Sequence, residues 1–419
     1  MKTKKITAIL LILILSISIP AHALNLSATG ACTMDFETGE IFYEKNADAP
    51  MTPASLTKIM TLYIVYEEMA KGTLTPETLI PISYNAAHPK DRTATNIPLT
   101  AGEMLPLSTL IDAMAIVSAC GCCTAVAEYL SGSEEAFATR MNETAAQMGI
   151  NAYFTDASGL SDYNLITPKG VATLVREFVK KYPEILEITK KQTVYIKGKK
   201  YEATNLLLPG GKKFYEGTDG FKTGTTTRAG KCIATTAQRG DTRIISVSMK
   251  SSTNELRYSD ATVLLNSAFA RADFLNTNLF ETDIRAFVNG AEIPCCYFLG
   301  RKNTLCITAE NLNSYGFDTY YDAGVSTLYI YENKNKEITP IEKFPILGTV
   351  PKMGKNEREN PLYKIYTLST PKVVLVKDGQ QINLETVFSL NGQCCISLDE
   401  LGKYFTYIWD GENRTATLG

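Results

Sequence analysis

Polar and apolar positions fall into three stretches of different character. From Gly30 to Lys45, in GACTMDFETGEIFYEK, two strand-like runs flank Glu37-Thr38-Gly39-Glu40, the pattern of a hairpin. From Ser55 the period changes. Ile59, Leu62, Tyr63, Tyr66 and Met69 recur at helical spacing, with Thr52 as the expected N-cap and Pro53 as a first-turn residue. Helical periodicity returns over 105–116, 121–130, 133–148, 169–182 and 259–269. Between Lys191 and Met249 the pattern is that of strands. KQTVYIKGKKYEATN and GKCIATTAQRGDTRIISVSM each predict a hairpin, the second turning at Arg239-Gly240-Asp241. Strands thus lie at both ends of this region with helices between. That predicts an α+β fold in which one antiparallel sheet is made from both ends and covered by helices.

Beyond about Asn276 the pattern repeats itself. One unit begins at Ile284 and a second at Val373. Asn289-Gly290 matches Asp378-Gly379, Cys306-Ile307 matches Cys395-Ile396, and Tyr321-Asp322 matches Trp409-Asp410. Each unit predicts strands, a short helix, then two more strands. The expected organisation is a leader over 1–23, a first domain over 24–275, two small β-rich modules over 281–333 and 371–419, and a linker over 334–370. The linker is charged and proline-bearing, with NKNKE and GKNEREN.

The leader, MKTKKITAILLILILSISIPAHA, has a lysine-rich start, an apolar run from Ile6 to Ile19 and Ala21-His22-Ala23. It reads as a secretory signal peptide cleaved near Ala23, so the protein is expected to be exported, extracellular or envelope-associated. An uncleaved anchor is the alternative, although the run is short for a membrane span. Taking its three lysines from 42 basic residues, against 44 acidic ones, leaves a net charge of −5, which argues against nucleic acid as partner. After cleavage the only histidine is His88, in the polar stretch NAAHPKDRTA. A zinc site usually needs several ligands including histidine, and a Ser-His-Asp relay would need this one residue, for which a surface position fits better. No metal and no cofactor is expected, and lysine becomes the candidate base for any activated serine. The ten cysteines include the adjacent pairs Cys122-Cys123, Cys295-Cys296 and Cys394-Cys395. Neighbouring cysteines rarely bond each other, so these read as small buried apolar residues.

Two stretches carry chemistry. TPASLTKIM places Ser55 and Lys58 at i and i+3 at a helix start, on one face, where the amine reaches the hydroxyl and free N–H groups offer an oxyanion donor. An ordinary helix start with a solvated lysine is the plain alternative. GTDGFKTGTTTRAG places Lys222-Thr223-Gly224 on or before a strand. The lysine attracts a carboxylate, the threonine hydroxyl bonds it, and the glycine lets a substrate backbone lie alongside; a strand edge with a turn is the plain alternative.

The order of these motifs, with Ser118 between them, resembles the penicillin-recognising serine peptidases, and most closely the low-molecular-mass D-alanyl-D-alanine carboxypeptidases. MDFETGEIFYEKNADAPMTPASLTKIMT, AEYLSGSEEAFATRMN and DGFKTGTTTRAGKC are similar to that family's blocks, over roughly residues 28 to 272. The resemblance implies a β-lactamase/transpeptidase-like fold and removal of the terminal D-alanine from peptidoglycan stem pentapeptides, with β-lactams as inhibitors. It implies Ser55 as nucleophile, Lys58 as base, Ser118 as proton relay, the N–H groups of Ser55 and Thr225 as oxyanion hole, and Lys222 and Thr223 as carboxylate binders. The family's middle motif is Ser-x-Asn, and here Cys120 stands in the asparagine position, which puts turnover rate in doubt. Metal binding by Cys120, Cys122 and Cys123 lacks a nearby fourth ligand, and a nucleophilic Cys120 lacks a histidine partner. A transpeptidase using the same site and a catalytically weak wall-binding protein are the alternatives. A β-lactamase would need an E-x-x-L-N stretch that is missing between Ser118 and Lys222. The C-terminal repeats are similar to the copper-amine-oxidase N-terminal-like modules of secreted Gram-positive proteins, which implies no metal here and a role in holding the cell wall.

Overall fold

A computed structural model describes residues 24–89, 91, 94–276, 278–281, 284–293, 297–299, 304–341, 363–364, 372–390, 393–410, 412–413 and 415–419. The expected leader and Cys295-Cys296 lie outside the described residues. Among the described residues no helix is long and apolar enough to cross a membrane.

The first region is built on a five-stranded antiparallel sheet. Its strands are β1 (Gly30–Asp35), β2 (Ile41–Lys45), β3 (Thr218–Thr226), β4 (Gly230–Arg239) and β5 (Thr242–Ser251), in the order β2-β1-β5-β4-β3. The β1–β2 turn is closed by the Asp35 carboxylate, which accepts from Thr38 N at 2.9 Å, and by Gly39 at φ +75°. Side chains alternate across β5. Ile245, Val247 and Met249 enter one core, while Ile244 enters the other. A long helix, Asn254–Asn276, covers the second face with Ala261, Leu265, Ala268 and Ala272. The buried Asp260 on that helix accepts from Ser27 N, Ala28 N and Ser251 Oγ, which ties the start of the described chain to the sheet.

Helices α1 (Lys58–Ala70), α2 (Cys120–Ser131), α3 (Glu134–Gln147) and α4 (Pro168–Lys181) form the other layer. At the start of helix α4 the Thr167 hydroxyl accepts from Gly170 N at 2.9 Å, with Pro168 in the first turn. Two local expectations are corrected. Thr52 caps nothing at the start of α1, because a 3₁₀ turn over Ala54–Thr57 precedes the helix with Pro53 in the cap position. The apolar stretch from Leu105 begins as a short strand, Met104–Pro106, and turns helical only at Leu107, after Pro106.

The two β-rich repeat units are interlocked. Arg285–Val288 of the first unit pairs in parallel with Thr415–Leu418 of the second. Thr327–Glu332 pairs in parallel with Lys372–Lys377, and Thr304–Thr308 pairs antiparallel with Gln393–Ser397. One core takes Val288, Ile307 and Ile330 from the first unit and Leu375, Ile396 and Leu418 from the second. The reason is geometric. A half-apolar hairpin must bury its face, and here each unit supplies the cover the other lacks. The start of the expected linker is also tied down, with Lys336 donating to Asp318 at 2.6 Å and Thr339 N to Ser314 O at 3.0 Å.

The interlock predicts that damage in one unit is felt in the other. Leu375→Ala should cost about 2–5 kcal/mol in the repeat region. Limited proteolysis should then open bonds within 284–332 as readily as within 372–418, and cleavage confined to the second unit would contradict a shared core.

Candidate active site

The turn that carries Ser55 is pinched between two glycines. Ala54 is buried with φ +50°, an uncommon conformation for a residue with a Cβ, and Ser55 follows it at the start of the 3₁₀ turn. On one side Gly159, at φ +87°, lies so close that a Cβ there would sit 1.9 Å from Ala54 O. On the other side a Cβ on Gly224 would sit 2.7 Å from Pro53 O and 3.1 Å from Ser55 N. A side chain at either position would displace the turn that carries Ser55.

Lys58, the first residue of α1, is fully buried beneath that turn. Its amine donates to Ser55 Oγ at 3.1 Å, to Cys120 Sγ at 3.3 Å and to the carbonyl of Ser158 at 2.6 Å. These three partners use the three N–H donors of an ammonium, which leaves none for Ser118. Ser118 closes the helical segment that precedes α2. The segment widens to a π-helical turn over Ala113–Val117, Ser118 itself takes φ +70°, and Ala119 N returns to Ala113 O at 3.0 Å. Cys120 then opens α2, its N–H held by Thr95 O at 2.9 Å. The next residue must be glycine, because a Cβ on Gly121 would lie 2.2 Å from Ala86 O. Cys122 and Cys123 are buried in the core and carry free thiols.

Strand β3 forms the opposite wall at the edge of the sheet. Gly224 packs against the Ser55 turn, and Lys222, two residues earlier, is buried on the same side. Thr223 donates to Thr204 Oγ1 at 2.7 Å, and Thr204 N reaches Ile116 O at 3.3 Å, which joins β3 to the Ser118 segment. Behind the strand, Arg257 is almost fully buried and donates to Gly224 O at 3.3 Å and Thr225 Oγ1 at 3.2 Å. The structure therefore brings Ser55, Lys58, Cys120, Lys222 and Gly224 into one cleft, with Ser118 buried at its side. Sequence reasoning missed Ser158, which acts through a backbone carbonyl, and Arg257, which lies on a helix beyond the motif it supports.

Charge is the dominant feature of the cleft. Burial and the neighbouring Lys58 charge bring the Lys222 pKa down to about 7. At Lys58 burial also works downward, but Cys120, Cys123 and Asp156 work upward and outweigh it. Cys123 is itself pushed up to about 12 by burial.

Comparison with known proteins places these elements in context. A family profile described as D-alanyl-D-alanine carboxypeptidase matches residues 18–253. The chain is 32% identical over 250 residues to D-alanyl-D-alanine carboxypeptidase DacF of Bacillus subtilis, a match covering 58% of this chain and 62% of that protein. It is 30% identical over 349 residues to DacC of Escherichia coli, covering 81% of this chain and 84% of that protein. Among solved structures, penicillin-binding protein D2 of Listeria monocytogenes in its cefotaxime-bound form is 33% identical with a TM-score of 0.54, covering 59% of this chain and 98% of that one.

The buried lysine gives a signed prediction for stability. With a folded pKa near 7 and an ordinary value of 10.5, the unfolded chain binds more protons between those values, so this group's contribution to stability rises with pH across that window. Below it the cost of burying the charge is felt in full. Lys222→Met should therefore be more stable than the parent at pH 6 to 7, by a margin that shrinks toward pH 10.5. Thermal unfolding across that range checks it, and a margin that grows with pH would contradict a depressed Lys222.

Proposed function

The chain belongs to the D-alanyl-D-alanine carboxypeptidase family, and from that premise we propose that it removes the terminal D-alanine of peptidoglycan stem peptides through an acyl-enzyme on Ser55. The observation that carries this reading is the fully buried Lys58 amine, 3.1 Å from Ser55 Oγ and facing a second buried lysine across the cleft. In its free-amine form Lys58 accepts the Ser55 proton as Oγ attacks the carbonyl between the two D-alanines. The N–H groups of Ser55 and Thr225 hold the oxyanion that forms. Collapse breaks the amide bond, and Ser118 passes its proton to the departing amine while taking one from the Lys58 ammonium, whose donor to Ser55 Oγ is released as that oxygen becomes the ester. Water then attacks the ester and restores Ser55. Lys222 and Thr223 hold the substrate's terminal carboxylate, with Arg257 adding positive charge from behind the strand. A carboxylate there supplies the counter-charge that Lys222 lacks.

Cys120 occupies the place where the family carries asparagine. A thiol at 3.3 Å contacts the lysine but offers no amide to a substrate, so in this reading it tunes turnover and is not the nucleophile. For the repeat region we propose attachment to the cell wall. Support comes from a cleft of about 790 Å³ between the two units, whose lining includes Lys403, the aromatic Tyr404 and Phe405, and Lys334 and Lys377, both paired with Glu332 in the same lining.

Two measurements test these readings. Penicillin should add one covalent adduct at Ser55, seen by intact mass and peptide mapping and lost in Ser55→Ala. The β-lactam-bound Listeria relative makes this the natural probe. A pentapeptide should release D-alanine, and added amine acceptor should leave that release unchanged unless the enzyme transfers the acyl group. Separately, a chain ending near residue 276 should keep the penicillin adduct while sedimenting less with purified cell walls. Undiminished sedimentation would remove wall attachment from the repeats.

A further inference from the structure

Below the lysine lies a loop that neither the motifs nor the mechanism has used. In residues 155–164, TDASGLSDYN, the Asp156 carboxylate sits at the centre of a ring of backbone donors. It accepts from Ser158 N at 2.8 Å and Gly159 N at 2.5 Å through Oδ1, and from Ser161 N through Oδ2. The buried Asn164 closes the ring, donating to Asp156 Oδ1 at 3.2 Å and to Thr57 Oγ1 at 3.2 Å, and accepting from Thr155 N at 2.7 Å.

The effect is clearest one peptide plane at a time. A trans peptide points its C=O and its N–H in opposite directions. The plane between Ser158 and Gly159 has its N–H on Asp156 and its C=O on Lys58 Nζ at 2.6 Å. The preceding plane, between Ala157 and Ser158, has its N–H on Asp156 and its C=O on Thr61 Oγ1 at 2.6 Å. Two successive planes are thus clamped between one carboxylate and helix α1. The Ser158 carbonyl can only accept, so when Lys58 is a free amine one of its two N–H bonds is committed there. With the second N–H toward Cys120, the lone pair is left facing Ser55. We infer that Asp156 is a positioning residue for the general base, acting through the Ser158–Gly159 peptide to aim the Lys58 lone pair at Ser55. The inference rests on the reading of Lys58 as base. Gly159 is required for the same arrangement, since a Cβ there would meet Ala54 O.

Asp156 also adds negative charge. The groups facing Lys58 are Cys120 and Cys123 from α2, Asp156 from the loop and Lys222 from β3, and Asp156 favours the ammonium. Removing its charge should make the free amine available at lower pH even as it loosens the aim. The experiment is the pH profile of penicillin acylation, followed by intact mass, in the full chain. The variants are Asp156→Asn and Asp156→Ser, both of which keep an acceptor for the loop. Thr61→Val is the control, because it removes a hydrogen bond from the same clamp without touching the Lys58 plane. Both Asp156 variants should acylate about tenfold to a hundredfold more slowly at their optimum, and the acid limb should move to lower pH. Thr61→Val should lose stability with the limb unmoved. Wild-type chain that forms no Ser55 adduct would sink the Lys58 reading itself. Normal wild-type acylation with unchanged rate and limb in a folded Asp156 variant would sink only the positioning role. So would an equal limb shift in Thr61→Val.

Discussion

Two lysine side chains share a cleft that water scarcely reaches, and neither is ion-paired with a carboxylate among the described residues. Taking even one such ion from water costs several kcal/mol, and a second of the same sign nearby adds to the cost. The cleft tolerates this by letting one lysine keep its proton among polar partners and letting the other titrate near neutrality. A site under that constraint favours ligands that bring a negative charge and place it beside Lys222. A charge that arrives beside Lys222 is therefore also felt at Lys58, whose own charge already lowers the Lys222 pKa.

The surrounding architecture keeps that condition from relaxing. If α1 and β3 could drift apart, water would enter and both ammoniums would be solvated. The two glycines hold the layers together, since backbone packs directly on backbone at Ala54 and at Pro53. The long helix behind the sheet contributes Arg257, whose bonds to Gly224 and Thr225 stiffen the edge strand from the far side. The strained φ at Ala54 and at Ser118 fits this picture, because local conformations of that kind persist only where the surroundings over-determine them.

The parts of the site legible in the sequence were those whose geometry is local. Ser55 and Lys58 meet because three residues of helix bring them to one face, and Lys222 with Gly224 meet because strands alternate. The two-ended sheet could likewise be read from where the strand-like runs fall. Ser158 left no such trace. It acts through a carbonyl that every residue possesses, and the loop that carries it, with Asp156 and Gly159, holds none of the motifs read from the sequence. Arg257 was hidden because it lies on a helix whose start was expected at Ser259. In the repeats, period and composition revealed the units but not their partners. Periodicity says that a strand has an apolar face and is silent about which strand will cover it.

The interlock of the repeats also bears on the order in which the chain can be completed. Arg285 pairs with Thr415 and Leu328 with Val373, so Arg285–Val288 and Thr327–Glu332, each already paired on one side within the first unit, lack their second neighbour until the second unit has been synthesised. During that interval its edges and its half of the core are open to solvent, the situation in which strands find wrong partners. The five-stranded sheet has no such wait, because its last strand, Thr242–Ser251, and the helix that follows precede both units. In chain order the sheet that carries the site is complete first, and the repeat region can close only after the second unit has followed.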